Sequence, residues 1–97
     1  MNIVVAKLAK KEFSDAKLFY ELEQRGLGFV FDIEIRKAIS RINAFPNAWK
    51  KDNNGICYCL LHKFPYKILF SLEDNTILII AFAHQHRQPD YWLNRIE

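Results

Sequence analysis

Ile56-Cys57-Tyr58-Cys59-Leu60-Leu61-His62-Lys63, then Phe64-Pro65-Tyr66-Lys67-Ile68-Leu69-Phe70-Ser71-Leu72, then Thr76-Ile77-Leu78-Ile79-Ile80-Ala81-Phe82-Ala83 form three runs rich in β-branched and aromatic residues. Polar breaks separate them, the clearest being Glu73-Asp74-Asn75. Such punctuation predicts an antiparallel meander. The last run, Ile77 to Ala83, is apolar at successive positions, as a central strand covered on both faces should be. Pro65 stands at the start of the middle run, where a missing donor is tolerated. The chain then reads His84-Gln85-His86-Arg87-Gln88-Pro89-Asp90-Tyr91-Trp92, and Pro89 can open a short final helix, Pro89 to Ile96.

Working outward, Asn2 to Lys7 carries a β-branched centre, Ile3-Val4-Val5, and reads as a strand. From Lys10 to Arg25 the period changes: Phe13, Ala16, Leu18, Phe19, Tyr20 and Leu22 fall on a broad helical stripe. Gly26 and Gly28 end that helix and make the turn. A second helix runs from about Leu27 to Ala44, with Leu27, Val30, Phe31, Ile35, Ala38, Ile39 and Ile42 at spacings of three and four. Pro46 stops it. Asn47 to Gly55 connects it to the meander, and Trp49 is expected to fold back onto the helices. The expected fold class is α+β, in one domain spanning residues 1–97. A small twisted antiparallel sheet carries an α-helical hairpin packed on one face and a short C-terminal helix, in the order β-α-α-β-β-β-α.

Composition bounds the function. The chain is 51% hydrophobic and 26% charged, which places it with folded soluble domains and apart from disordered ones. No apolar run approaches a membrane span, and the apolar start is too short for a secretory signal, so the cytoplasm is the default compartment. The net charge of +3 permits an anionic partner without requiring one. Cys57 and Cys59 lack the spacing of a redox or zinc motif and read as buried thiols in a reducing compartment, so neither a metal nor a cofactor is expected.

The chemistry-bearing residues gather at the end of the last strand. If that strand continues to His86, His84 and His86 share a face. Arg87, Tyr91 and Trp92 follow closely, and His62, Lys63, Tyr66 and Lys67 lie in the meander. Cations for a phosphate, a base for an attacking hydroxyl and rings for stacking are the parts an RNA-cleaving site needs. Each residue also has a structural role open to it. His84, flanked by apolar residues, can pack and hydrogen-bond, and Tyr91 and Trp92 can anchor the final helix to the sheet.

Two motifs at the right separation, Phe64-Pro65-Tyr66-x-Ile68 and Ala83-His84-x-x-Arg87-x-Pro89-x-Tyr91-Trp92, resemble the RelE/ParE superfamily of toxins from bacterial type II toxin–antitoxin pairs. Leu27-Gly28-x-x-Phe31 and Ile42-x-x-Phe45-Pro46 agree with it, so the resemblance spans most of the chain. It implies a cytoplasmic toxin of plasmid-stabilisation type that inhibits growth. A cognate antitoxin would hold it inactive in a hetero-oligomer, with no membrane partner. RelE-like members cut mRNA on the ribosome with basic residues on the open sheet face. ParE-like members poison DNA gyrase. By position, His62 falls near an arginine of the RelE-like set, His86 or Arg87 near its C-terminal arginine, and Tyr91 near its tyrosine. These four are the catalytic candidates if the chain is a nuclease, with Lys63, Lys67, His84 and Trp92 as substrate- or target-binding candidates. Many relatives carry basic pairs where Cys57-Tyr58 and His86-Arg87 stand here. The first pair is lost and the second half kept, which weakens phosphate stabilisation, because histidine near its ordinary pKa is mostly neutral at pH 7. The resemblance therefore implies a ParE-like inhibitor of DNA gyrase first. The alternatives are a RelE-like ribosome-dependent mRNA endonuclease and an attenuated or inactive binding module.

Overall fold

The computed structural model describes residues 1–95. Strand β1 (Asn2–Val5) leads into helices α1 (Lys7–Glu23) and α2 (Leu27–Ala44). Strands β2 (Cys57–Leu60), β3 (Tyr66–Glu73) and β4 (Thr76–His84) follow, then a short 3-10 turn, Leu93–Arg95. This is the expected α+β architecture, a helical hairpin on one face of a small sheet. The strands lie in the order β1-β4-β3-β2. The meander β2-β3-β4 is antiparallel as expected. β1, however, runs parallel to β4, from Asn2 opposite Thr76 to Val5 opposite Ile79, so the four-stranded sheet is mixed. A parallel neighbour needs a long crossover, and the helical hairpin supplies most of it. β4 becomes an inner strand, in keeping with its unbroken apolar run.

The connection between the helices is tight for identifiable reasons. Gly26 has φ +90, a conformation open chiefly to glycine. Gly28 lies so close to α1 that a Cβ there would stand 2.8 Å from the Lys17 carbonyl oxygen. The Glu21 carboxylate accepts hydrogen bonds from the backbone N–H of Gly26 (3.0 and 3.1 Å) and of Gly28 (3.1 Å). It therefore caps the N-terminus of α2, where the free N–H groups and the helix dipole favour a negative charge.

α1 begins one turn earlier than its stripe implied, and the stripe is narrower. Ala9 and Ala16 are buried and Phe13 and Tyr20 half-buried, whereas Leu18, Phe19 and Leu22 are exposed. α2 keeps its expected limits and buries Phe31, Ile35, Ala38 and Ile42. Against these helices the sheet presents Cys57, Cys59, Ile68, Phe70, Ile77, Ile79 and Phe82. Its far face is also covered: Ile56, Leu69, Ile80, Ala81, Ala83 and Trp92 form a second core there. Trp49 folds back onto the core between helices and sheet, where it meets Phe70 of β3, not a helix residue, edge-on at 5.9 Å.

One irregularity decides where the end of β4 points. Leu69 pairs with Ala81 and Phe70 with Ile79, leaving Ile80 as an extra residue in a β-bulge. Ile80 and Ala81 both belong to the far-face core, while Phe82 returns to the helix side with Ile77 and Ile79. Strict alternation would have sent Phe82 and His84 to the far face.

The C-terminal segment is not the α-helix expected from Pro89. Asp90 has φ +63, in the left-handed region that a short polar side chain tolerates but a helix does not. The bonds that follow, Leu93 N–H to the Asp90 carbonyl (3.1 Å) and Arg95 N–H to the Trp92 carbonyl (2.9 Å), span three residues and define a tighter turn. Ile96, the expected helix end, lies outside the described residues.

Candidate functional site

β1 accompanies β4 only as far as Ile79; one further backbone bond, from Ala6 N–H to the Ile79 carbonyl, ends the ladder. Beyond it the outer edge of β4 has polar groups with no neighbouring strand, and buried backbone groups need partners. Two side chains take the strand's place. Glu12 of α1 accepts from the Phe82 N–H (3.2 Å), and Arg95 of the terminal turn donates to the Ile80 carbonyl (3.1 Å). The pair is joined through Arg95 Nη1–Glu12 Oε1 (2.8 Å) and Arg95 Nη2–Glu12 Oε2 (3.1 Å). Both side chains are about 15% exposed, so the ion pair is shielded far better than a surface one.

Tyr91 completes this clasp. Its hydroxyl donates to Glu12 Oε2 at 2.5 Å, while its ring packs with the far-face core. The tail thus wraps the open edge of β4 and ties down onto α1. Burial, and then the Glu12 carboxylate, push the Tyr91 hydroxyl well above the ordinary phenol range. A phenol so held keeps its proton and acts as a donor. The Arg87 guanidinium lies over the Tyr91 ring, 4.0 Å from its centre.

β4 stops at His84, so His84 and His86 do not share a strand face. A turn brings them together instead. The His86 N–H donates to His84 Nδ1 at 3.0 Å, and the two rings lie 5.2 Å apart. His84 also meets Tyr66 edge-on at 5.2 Å. Burial raises the Tyr66 hydroxyl pKa; Glu12 adds to the rise and Arg87 opposes it. Between these groups and α1 lies a cleft of about 230 Å³ lined by Glu12, Asp15, Phe19, Tyr66, His84 and Arg87, with Ala16 and Phe82 in its walls.

The eight candidates fall into three places. His84, His86, Arg87 and Tyr91 share the cleft region at the end of β4. His62 and Lys63 are exposed in the β2–β3 loop, where Lys63 Nζ lies 3.4 Å from Glu34 of α2. Lys67 sits over the Tyr58 ring at 5.1 Å, and Trp92 is 2% exposed in the far-face core, edge-on to the same tyrosine at 6.5 Å. Tyr58 donates to Asp52 at 2.8 Å, and its pKa is raised to about 12 by burial and by that carboxylate.

Glu12, Arg95 and Asp52 were not singled out from sequence. Glu12 had a readable signal: it stands three residues after Ala9 and four before Ala16, on the buried stripe of α1. Among the described residues no three His, Cys, Asp or Glu side chains are placed to share a metal ion. Cys57 and Cys59 are free, buried thiols, each with a pKa raised by burial; the Arg41 Nη2 lies 3.6 Å from Cys59 Sγ.

The sequence matches no protein-family model and no curated protein. Its structure is similar to a chain of a solved structure described as "Chromosomal ParDE TA system from P. aeruginosa", with a TM-score of 0.63. The match covers 87% of this chain and 95% of that one, at 10% identity. The chain shares the α+β fold of that structure. At so low an identity the likeness is one of backbone architecture. No helix of the described residues is long and apolar enough to cross a membrane.

Proposed function

We propose that this protein is the toxin of a type II toxin–antitoxin pair, a ParE-like inhibitor of DNA gyrase that a cognate antitoxin neutralises. The likeness of fold to a structure described as a ParDE TA system supports the first part. The bond from Tyr91 to Glu12 is the observation that favours inhibition by binding over RNA cleavage. A nuclease of this kind needs a base for the attacking hydroxyl and unopposed cations for the phosphate. Here Tyr91 is a donor with a raised pKa, Arg95 is neutralised by Glu12, and the carboxylates of Glu12 and Asp15 line the cleft that holds Arg87 and His84. His62 and Lys63 lie in another loop, with Lys63 drawn toward Glu34.

The antitoxin part of the proposal is supported by exposed apolar side chains on the helical hairpin. Leu18, Leu22 and Phe29 are 58%, 78% and 66% exposed, more than a lone surface residue would explain. Leu18 and Phe29 border a hollow with Phe13 and Lys17.

Purified protein added to DNA gyrase and relaxed plasmid provides the test. The expected result is loss of supercoiling at micromolar protein, restored by the protein encoded beside it. Undisturbed supercoiling together with codon-specific cuts in ribosome-bound mRNA would overturn the proposal in favour of the nuclease. Undisturbed supercoiling with normal growth on induction would leave a binding module without toxicity.

A further inference from the structure

The cleft at the end of β4 has a charge balance that the toxin reading does not use. Glu12 is paired with Arg95, and Asp15 with Lys11 at 2.8 Å. Arg87 makes no ion pair with a carboxylate among the described residues, although Glu12 and Asp15 share the cleft lining with it. Its guanidinium carbon lies over the Tyr91 ring, 4.0 Å from the ring centre, and the guanidinium N–H groups make no hydrogen bond among the described residues. His84 adds a donor of fixed identity. Its Nδ1 accepts from the His86 N–H, so in the neutral imidazole the proton sits on Nε2. The Tyr66 hydroxyl, protonated at neutral pH like any phenol, lies where it feels both Glu12 and Arg87. The remaining walls are Phe19, Ala16 and Phe82, all apolar.

We propose that this cleft is a receptor for a single carboxylate carried on an apolar body. The Arg87 fork and the donors of His84 and Tyr66 take the oxygens, and Phe19 and Phe82 flank the body. One planar monoanion matches one guanidinium fork. A nucleic-acid backbone would bring further negative charges past the Glu12 and Asp15 carboxylates. The carboxylate can come from a free small acid or from an acidic side chain next to an aromatic one in a partner protein. The inference stands on the cleft alone and does not require the toxin reading.

The probes are phenylacetate, a capped dipeptide of glutamate and phenylalanine, and inorganic phosphate, each titrated into the intact protein. The readout is the imidazole nitrogen resonances of His84, identified by their loss in His84→Gln. At least one carboxylate probe is expected to give a saturable shift. The tighter of the two identifies the source, free acid or partner segment. Arg87→Ala should weaken that probe about tenfold, the loss of one charge-assisted fork. Tyr66→Phe, which keeps the ring packing, should weaken it about fivefold if one neutral hydrogen bond is lost. The Tyr66 variant still decides the matter if Arg87→Ala loosens the tail. Phosphate binding tighter than both carboxylates, no saturable His84 shift with either, or unchanged affinity in the Tyr66 variant would each overturn the proposal.

Discussion

On the helix side of the sheet, rings close the core. Phe31 stands edge-on to Phe64 at 5.1 Å and to Tyr66 at 5.3 Å, Tyr20 meets Phe64 at 4.7 Å, and Phe13 meets Phe82 at 5.7 Å. At the outer edge of β4, a neighbouring region, closure is polar: one carboxylate and one guanidinium satisfy backbone groups that a strand would otherwise pair, and one phenol holds the carboxylate. The first region is non-directional and spreads its stabilisation over many contacts. The second depends on a few atoms in fixed geometry, and removing one leaves the others buried without partners. The contrast predicts a global response to damage in the first region and a local one in the second.

Phe31→Ala should have the largest effect. Phe31 is fully buried at the centre of the ring cluster, and truncation of such a side chain costs about 3–5 kcal/mol. Chemical denaturation should show the midpoint falling accordingly, with amide exchange accelerated across β3 and β4 alike. A loss confined to α2 would mean that the rings do not act as one unit.

This region was the legible one. A period of three to four residues placed Phe31, Ile35, Ala38 and Ile42 on one face of α2, and unbroken apolarity marked β4 as internal. The same logic failed on α1, where Leu18, Phe19 and Leu22 are as apolar as the true core but sit outside its narrow seam. Nothing in one strand announces the bulge at Ile80, because it is a property of register between strands. His84 and Arg87 therefore could be named, but the side of the sheet they face could not. Glu12 was passed over because a carboxylate on a buried stripe explains itself only once Arg95, distant in sequence, is in place.

Glu12→Ala tests the polar region. It strands the Arg95 guanidinium, the Tyr91 hydroxyl and the Phe82 N–H. The expected loss is about 2–3 kcal/mol, below that of Phe31→Ala, since the site lies near enough to the surface for water to repair part of the damage. The exchange rate of the Phe82 amide should rise far more than that of amides in β2 and β3. Uniform acceleration instead would show that the clasp and the ring core are a single cooperative unit, and the contrast between them would collapse.

The smallest effect belongs to a second polar clasp, on the far face. Tyr58 donates to Asp52, whose carboxylate also accepts from the Asn54 and Ile56 N–H groups, so Tyr58→Phe leaves Asp52 two partners. The cost near neutral pH should be roughly 1 kcal/mol. The sign of its pH dependence follows from the raised pKa, 10.0 ordinarily and about 12 in the folded chain. Below pH 10 the phenol is protonated folded or unfolded, and its contribution is complete. As pH climbs from 10 toward 12 the unfolded chain releases this proton while the folded chain still holds it, so that contribution drains away. Tyr58→Phe lacks the proton altogether, so its stability should fall less steeply with alkali, and the gap to the parent should close over that window. Parallel denaturation curves from pH 8 upward would show that Asp52 does not hold the Tyr58 proton. The polar closures would then differ among themselves as much as they differ from the ring core.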